Sequence, residues 1–439
     1  MARGAFILFE GLPLGWRALF LVAFVVVVGM LGWTAVLFVR AWRWDTGSSR
    51  DHHDELVDRY SWVFLVPALN EEITIRDSVE RLLAVPVARR LVVVIDDGSD
   101  DRTPDVLASI DDPSLMVLRR DRPHARQGKA AALNAAYRAL DAHLGTAARD
   151  RVIVVVVDAD GRLHPHAPAR AARHFADPSV GGVQSLVRIY NRAHVLTWLQ
   201  DVEFGVYGAL FQSGRNSWGT AGMGGNGQFN RLRALDDVAT GDGPWRDRLT
   251  EDQDLGLRLI ARGWHGRQDQ DAVVDQQGLP ALRALLRQRT RWSQGNLQAT
   301  GLIRPIARAP FPRTARAEAL AYLLMPFWQG IVGVALAGAL FLAATGRAPF
   351  WAGGPTWQLL LVYLLAFGGT VLGCIAARRR DGISGWLVGF LVGHVYALYT
   401  WLIWPVLARS TARQVLRRSD WSKTRRQSIP DVVSPGRAT

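Results

Sequence analysis

An uncharged apolar run from Leu19 to Val39 (LFLVAFVVVVGMLGWTAVLFV) restricts this chain more than any other feature in it. As a helix it crosses a hydrocarbon core of roughly 30 Å. A cleaved leader carries a shorter apolar stretch, about 7–15 residues, followed by small residues at a cleavage site. Trp33, Phe38 and Trp42 stand there instead, so 17–39 is read as a transmembrane anchor. Three more apolar blocks come late: Ala319 to Ala344, Trp357 to Ala377, and Gly385 to Ala408. The 49% hydrophobic content is therefore gathered near the two ends of the chain, around a polar stretch of globular size, 50–316.

Arginines orient this arrangement. Arg40 and Arg43 follow the first block, and Arg378, Arg379 and Arg380 separate the last two, which places both regions and the polar domain on the cytosolic side of a plasma membrane protein with several crossings. The basic tail, 409–439 (Arg409, Arg413, Arg417, Arg418, Lys423, Arg425, Arg426), belongs there by the same rule, yet three late crossings would put it outside. The expectation is that 319–408 holds two or three crossings, one block being re-entrant or interfacial, with the break at Pro326 or Pro405. The net charge of +13 is an arginine charge, since Lys129 and Lys423 are the only lysines. It suits anionic lipid or a pyrophosphate substrate. No zinc-finger spacing or basic stripe interleaved with aromatics accompanies it, so no nucleic-acid partner is expected. The one cysteine, Cys374, excludes an intrachain disulfide.

Within the polar stretch, Trp62 to Val66, Leu91 to Ile95 and Val152 to Val157 are continuous apolar runs rich in β-branched residues, as a parallel sheet covered on both faces demands. Helical stretches lie beside them at Thr74 to Leu83, Thr103 to Ile110 and Gly128 to Leu144. The fold class is therefore α/β, a doubly wound, mostly parallel sheet plus transmembrane helices, with ligand beyond the carboxyl ends of the strands.

The second and third runs end in acids, Asp96-Asp97-Gly98-Ser99 and Asp158-Ala159-Asp160-Gly161. No glycine-rich dinucleotide fingerprint follows the first. Carboxylates at strand ends repel a diphosphate unless a divalent cation bridges them. Asp158 and Asp160, spaced i, i+2, point the same way in extended backbone and suit one Mg²⁺ or Mn²⁺. Asp-x-Asp-Gly is also ordinary turn composition and occurs in phosphatases with an aspartate nucleophile, in which Asp158 would act covalently. Thr250-Glu251-Asp252-Gln253 reads locally as a capping box. Leu279 to Asn296 reads as a basic amphipathic helix at the membrane surface (within 279–300), on which Gln288, Arg291 and Trp292 share one face.

Taken in order, Pro67/Asn70/Glu71, Asp96-Asp97-Gly98-Ser99, Gly128-Lys129, Asp158-x-Asp160, Thr250-Glu251-Asp252 and Gln288-x-x-Arg291-Trp292 resemble the motif series of membrane-bound family 2 glycosyltransferases. These include cellulose, hyaluronan, chitin and poly-N-acetylglucosamine synthases. The resemblance implies a nucleotide-sugar-binding domain of the glycosyltransferase A type and metal-dependent, inverting transfer from a nucleotide diphosphate sugar, expected to be a UDP-sugar. By the same resemblance Pro67, Glu71, Asp97, Lys129, Asp158, Gln288 and Arg291 bind the donor, and Asp158 and Asp160 hold the metal. Asp252 is the base, assisted by Glu251, and Trp292 and Asn226 meet the acceptor. The sequence departs from the family at Gly225-Asn226-Gly227, which stands where cellulose and hyaluronan synthases carry a cysteine. The first expectation for the acceptor is a growing polysaccharide, the second a polyprenyl phosphate or glycolipid receiving a single sugar. Few crossings for a polymer channel suggest a homo-oligomer or an export partner.

Overall fold

The computed structural model describes residues 11–47, 54–144, 148–347 and 356–418. Lys423, Arg425 and Arg426 of the expected tail, and the start of the expected polar domain at 50, lie outside the described residues.

The β-branched runs form the middle of one eight-stranded sheet. Its strands are β1 (Ser61–Ala68), β2 (Arg90–Asp96), β3 (Leu115–Arg119), β4 (Val152–Val156), β5 (Arg162–Leu163), β6 (Val180–Ile189), β7 (Gln228–Arg231) and β8 (His265–Gln276), in the spatial order β3-β2-β1-β4-β7-β6-β8-β5. β1 pairs in parallel with β2 on one side and β4 on the other, so the crevice beyond their carboxyl ends is where the winding direction switches. β7 and β5 run against the rest.

The amino-terminal helix α1 (Leu14–Gly47) extends the expected anchor at both ends, and a single turn, α2 (Asp54–Val57), leads into β1. The sheet is then covered on both faces. On one face Trp62, Phe64, Val66, Val92, Val94, Ile153 and Val155 pack against α3 (Ile75–Leu83). α3 buries Ile75, Ser78, Val79 and Leu82, the stripe of an amphipathic helix. α4 (Thr103–Ala108) packs at its edge. On the other face Val63, Leu65, Val93, Ile95, Val154 and Val156 pack against Leu133, Ala136 and Leu140 of α5 (Lys129–Leu144). α6 (Ala167–Phe175) returns to the first face through Ala171 and Phe175. α7 (Val195–Val206) follows β6, and α8 (Leu232–Val238) and α9 (Glu251–Ala261) complete the second face through Leu235 and Leu255.

The carboxyl-terminal part comprises α10 (Leu282–Gln298), α11 (Ile303–Ala307), α12 (Arg313–Leu323), α13 (Met325–Ala344), α14 (Thr356–Arg378), α15 (Gly382–Thr400) and α16 (Ile403–Val415). Among the described residues three stretches are helical, long and apolar enough to cross a membrane: Leu14–Asp45, Met325–Ala344 and Gln358–Val415. α13 packs on the first half of α1, where Gly338 admits the Trp16 ring, and α14 packs on the second half, where Gly368 meets Leu31.

Two of the expected late blocks divide. Residues Ala319–Leu323 belong to α12, which is fastened to the sheet domain by the buried Arg215–Glu318 ion pair (2.5 Å); the helix breaks at Leu324, and Pro326 sits in the first turn of α13. Gly385 to Ala408 divides at Trp401-Leu402, with Pro405 in the first turn of α16. Proline lacks the N–H that the first turn leaves unbonded, so it starts a helix better than it continues one. α15 doubles back along α14, Gly393 lying against Val371 and Gly389 against Ile375. α16 then folds onto α10, where the hydroxyls of Ser293 and Ser410 bond at 2.8 Å, both buried.

Candidate active site

The strand ends bring the acids together. Beyond its pairing with β4, β1 continues to Pro67, whose missing N–H faces the side where pairing has already stopped. The loops after β1 and β2 are latched by Asn70: its side chain accepts from the Asp100 N–H at 2.9 Å, and its own N–H donates to Ser99 Oγ at 2.9 Å. Glu71 accepts from the Thr74 hydroxyl at 3.1 Å.

Asp96 and Asp97 are both buried and both paired with cations from the neighbouring strand end. Arg119 pairs with Asp96, directly opposite it in the β2–β3 register, and Arg120 with Asp97 at 2.5 Å. Burial pushes the Asp97 carboxyl up, and the charge of Arg120 only partly offsets this. The expected base-binding aspartate is thus held by an arginine the sequence reading did not select. The signal was local: Arg119-Arg120 ends a short apolar run just as Asp96-Asp97 ends its own.

At the end of β4 the Lys129 ammonium lies 2.6 Å from Asp158 Oδ1 and 3.6 Å from Glu251 Oε1. Burial alone lowers a lysine, but Asp158, Glu251 and Asp252 outweigh it and hold Lys129 above the usual lysine range. Desolvation, reinforced by the Glu251 charge, pushes Asp252 up to about 7, although its side chain keeps some exposure. Three carboxylates converging on one lysine make this the most strongly charged spot of the crevice, the kind of place where a proton is taken or given near neutral pH.

The loop opposite is rigid rather than slack. Gln212 accepts from the Gly222 N–H (2.7 Å), Gln184 accepts from Gly224 (2.8 Å) and donates to the Asn226 carbonyl (2.7 Å). Asn226, only 2% exposed, accepts from the Asp158 N–H at 3.1 Å and donates to Gln276 at 3.2 Å. Its amide therefore braces the Asp158 turn. Gly225 has φ +80°, and a Cβ there would stand 2.8 Å from Asp252 Oδ2 and 3.4 Å from Lys129 Nζ. Gly225→Ala is expected to lower kcat/KM about 10–100-fold, because it displaces the carboxyl by a sizeable fraction of an ångström, while the left-handed strain costs about 1–2 kcal/mol of stability. Steady-state kinetics and thermal unfolding of the variant read the two effects separately.

The capping box is not formed as expected. Thr250 makes no side-chain cap bond; its hydroxyl donates to Gln253 Oε1 at 3.2 Å. The helix instead takes its cap from Asp252 Oδ1, which accepts from the Gln253 N–H at 2.8 Å and leaves Oδ2 towards Gly225. Thr250 abuts Gly295 of α10 so closely that a Cβ there would lie 2.3 Å from its hydroxyl.

A divalent ion fits this site in one way. No group of three or more His, Cys, Asp or Glu side chains among the described residues is arranged to hold one. Asp158 to Gly161 is a turn, the Gly161 N–H donating to the Asp158 carbonyl at 2.7 Å, and not the extended backbone expected; Asp158, drawn to a cation already, and Asp160, which accepts from the Gln277 N–H at 3.4 Å, would supply two carboxylates, the remaining ligands coming from a bound diphosphate.

Residues 61–295, from the first residue of β1 to the last turn of α10, match the family described as glycosyltransferase like family 2. This chain belongs to that family. The glycosyltransferase is 31% identical over 381 residues to the beta-monoglucosyldiacylglycerol synthase of Synechocystis sp., covering 82% of this chain and 74% of that one. To the poly-beta-1,6-N-acetyl-D-glucosamine synthase of Staphylococcus aureus it is 26% identical over 282 residues, 63% of this chain and 64% of that one. Its fold is that of the mannosyltransferase PcManGT from Pyrobaculum calidifontis, solved in complex with GDP-Man and Mn²⁺ (TM-score 0.58, 20% identity, 91% of this chain and 99% of that one).

In this glycosyltransferase the Gln288, Arg291 and Trp292 face of α10 continues to Gly295, the residue seated on Thr250. Gln288 accepts from Arg289 at 3.2 Å, and Trp292 packs edge-on to Phe204 with ring centroids 6.2 Å apart. Arg289 and Phe204, both absent from the sequence expectation, thus border the motif.

Proposed function

We propose that this glycosyltransferase moves one sugar from a nucleotide diphosphate donor of the uridine type to a hydroxyl of a membrane lipid acceptor, with inversion at the anomeric carbon. The observation that carries the reading is the convergence of Asp158, Glu251 and Asp252 on Lys129 at the end of β4, beneath a helix, α10, that is itself docked on α16.

Pro67, Glu71 and Asp97, at the ends of β1 and β2, line the side of the crevice assigned to the base of the donor. Lys129 meets its phosphates, and Gln288 and Arg291 approach them from α10. Asp158 and Asp160 would hold a Mg²⁺ or Mn²⁺, which when bound neutralises charge on the departing diphosphate. Asp252 accepts the proton of the acceptor hydroxyl as that oxygen attacks the face opposite the leaving group; one displacement inverts the centre and leaves no covalent enzyme intermediate. Glu251 keeps Asp252 basic and shares Lys129 with it. Trp292 offers an aromatic surface to the acceptor.

The likeness to a glucosyldiacylglycerol synthase runs through most of both chains, and it moves a lipid acceptor ahead of the growing polysaccharide that the motifs first suggested. Elongation remains the second reading, supported by the shorter likeness to a polysaccharide synthase. The orientation proposed is that α1 and α13 cross the membrane and that α14 and α15, packed antiparallel along one another, share one membrane environment. Both ends of α15 reach the sheet domain, through Arg380 on Asp271 (2.5 Å) and Tyr399 on Glu203 (2.7 Å).

Purified protein in lipid nanodiscs, offered UDP-glucose, UDP-galactose or UDP-N-acetylglucosamine with Mg²⁺ or Mn²⁺, is expected to release UDP with one sugar and to yield a product one sugar heavier than dioctanoylglycerol. A ladder of products selects elongation, and release that is indifferent to every acceptor sinks both readings.

A further inference from the structure

Arg289 is a charged residue of α10 that no part of the reaction above uses, yet it is held by a carboxylate and two aromatic rings. Its guanidinium pairs with Glu203 of α7 at 2.5 Å, and Glu203 accepts a second bond from the Tyr399 hydroxyl of α15 at 2.7 Å. The same guanidinium lies over the Trp292 ring, 4.2 Å from its centroid, and 5.6 Å from that of Phe204. Phe204 meets Trp292 edge-on at an interplanar angle of 70°. Three helices thus contribute to a single stack: α7 gives the carboxylate and an aromatic edge, α10 the guanidinium and the indole, and α15 the hydroxyl.

A guanidinium stacked on an aromatic face fixes the ring only if its own plane is fixed, and here the Glu203 carboxylate fixes it. Glu203 in turn is aimed by Tyr399, near the carboxyl end of α15. We propose that Glu203 and Tyr399 are positioning residues for acceptor binding, setting through Arg289 the pose of Trp292 and tying acceptor engagement to the seating of α15. This rests on the assignment of Trp292 to the acceptor. Arg289 also donates to Gln288, a proposed donor contact, at 3.2 Å, so donor binding is expected to respond too, but less than acceptor binding.

The test uses the full chain in nanodiscs with UDP-glucose or UDP-N-acetylglucosamine as donor and dioctanoylglycerol or an N-acetylglucosamine oligomer as acceptor, whichever pair the wild type turns over. Trp292→Ala, Glu203→Gln, Tyr399→Phe and Arg289→Lys are compared, each with its thermal midpoint. Tyr399→Phe removes one oxygen and keeps the packing, so it guards against a folding failure in the others. Glu203→Gln and Tyr399→Phe are expected to raise the acceptor KM about five- to tenfold, the loss typical of one net hydrogen bond, with a smaller change in donor KM and, for Tyr399→Phe, a thermal midpoint near wild type. The double variant is expected to be no worse than the poorer single one, since both act through Arg289. If Trp292→Ala raises the acceptor KM and the other variants do not, the inference is wrong and the assignment of Trp292 stands. If Trp292→Ala leaves the acceptor KM unchanged, or the wild type takes neither acceptor, the assignment fails and takes the inference with it. If kcat and the midpoint fall while both KM values rise equally, the cluster only holds helices together and the inference is overturned.

Discussion

Replacing Asp252 by asparagine is expected to remove catalysis and to stabilise the protein in one step. Asparagine keeps the shape and the cap on Gln253 but cannot take the proton of the acceptor, and a positioned general base contributes about 10²–10⁴-fold. Turnover should fall by about that factor with little change in donor affinity. Stability should move the other way. Burial and the neighbouring Glu251 push the Asp252 carboxyl up to about 7, against about 3.9 for the carboxyl in an unfolded chain. Below the unfolded value the group is protonated in both states and contributes nothing. As pH rises towards 7 the unfolded chain releases its proton while the folded one retains it, so wild-type stability declines across that window and levels off above it. In ion-free protein the variant should gain little at pH 4 and most at pH 8, as read by thermal unfolding at the two values. An Asp252→Asn enzyme that retains turnover would remove Asp252 from the reaction; one that gains no stability at pH 8 would remove the account of its environment.

Lys129→Met should do the opposite to stability and comparable harm to activity. Methionine keeps the length of the side chain and deletes the charge on which Asp158, Glu251 and Asp252 converge. Like charges are then left facing one another, and Asp252 becomes harder to ionise. Breaking a hydrogen-bonded charge pair costs about 1.5–3 kcal/mol, at the low end here because both partners keep some exposure, 25% and 31%. Donor affinity is expected to fall at least tenfold. Lys129→Arg should not restore it, since Lys129 stands 2.6 Å from Asp158 and a planar guanidinium is broader than the ammonium it would replace. Isothermal titration with UDP and thermal unfolding check both halves; wild-type UDP affinity in Lys129→Met would refute the role.

The sequence disclosed three of the eight strands plainly. β1, β2 and β4 are β-branched runs buried on both faces, and the acids after β2 and β4 mark the crevice because strand ends are where such residues collect. β7 and β8 were silent for a physical reason. Gln228-Phe229-Asn230-Arg231 and His265 to Gln276 bury polar side chains that are satisfied only by distant partners, as Arg231 is by the carbonyls of Val180 and Phe175. Hydrophobic periodicity carries no trace of such strands. In the site, the acids were legible and their cations were not. Arg120 reaches Asp97 only because β3 lies beside β2, and Gly225 matters only because its missing Cβ leaves room for Asp252. The capping box failed similarly: Thr250 has its local pattern, but close contact with Gly295 of α10 turns its hydroxyl elsewhere.

The seating of α10 has a consequence for when the enzyme first works. Gln294, 1% exposed, donates to the Arg418 carbonyl at 2.8 Å and accepts from Arg413 at 3.2 Å, and Ser293 bonds Ser410. A nascent chain that has not yet reached Ile403 already holds the strand-end acids and Lys129, but its helix bearing Gln288, Arg291 and Trp292 has buried polar groups with no partner from α16. Sugar transfer is therefore expected only once α16 has been made, and a chain truncated before Ile403 is expected to show none.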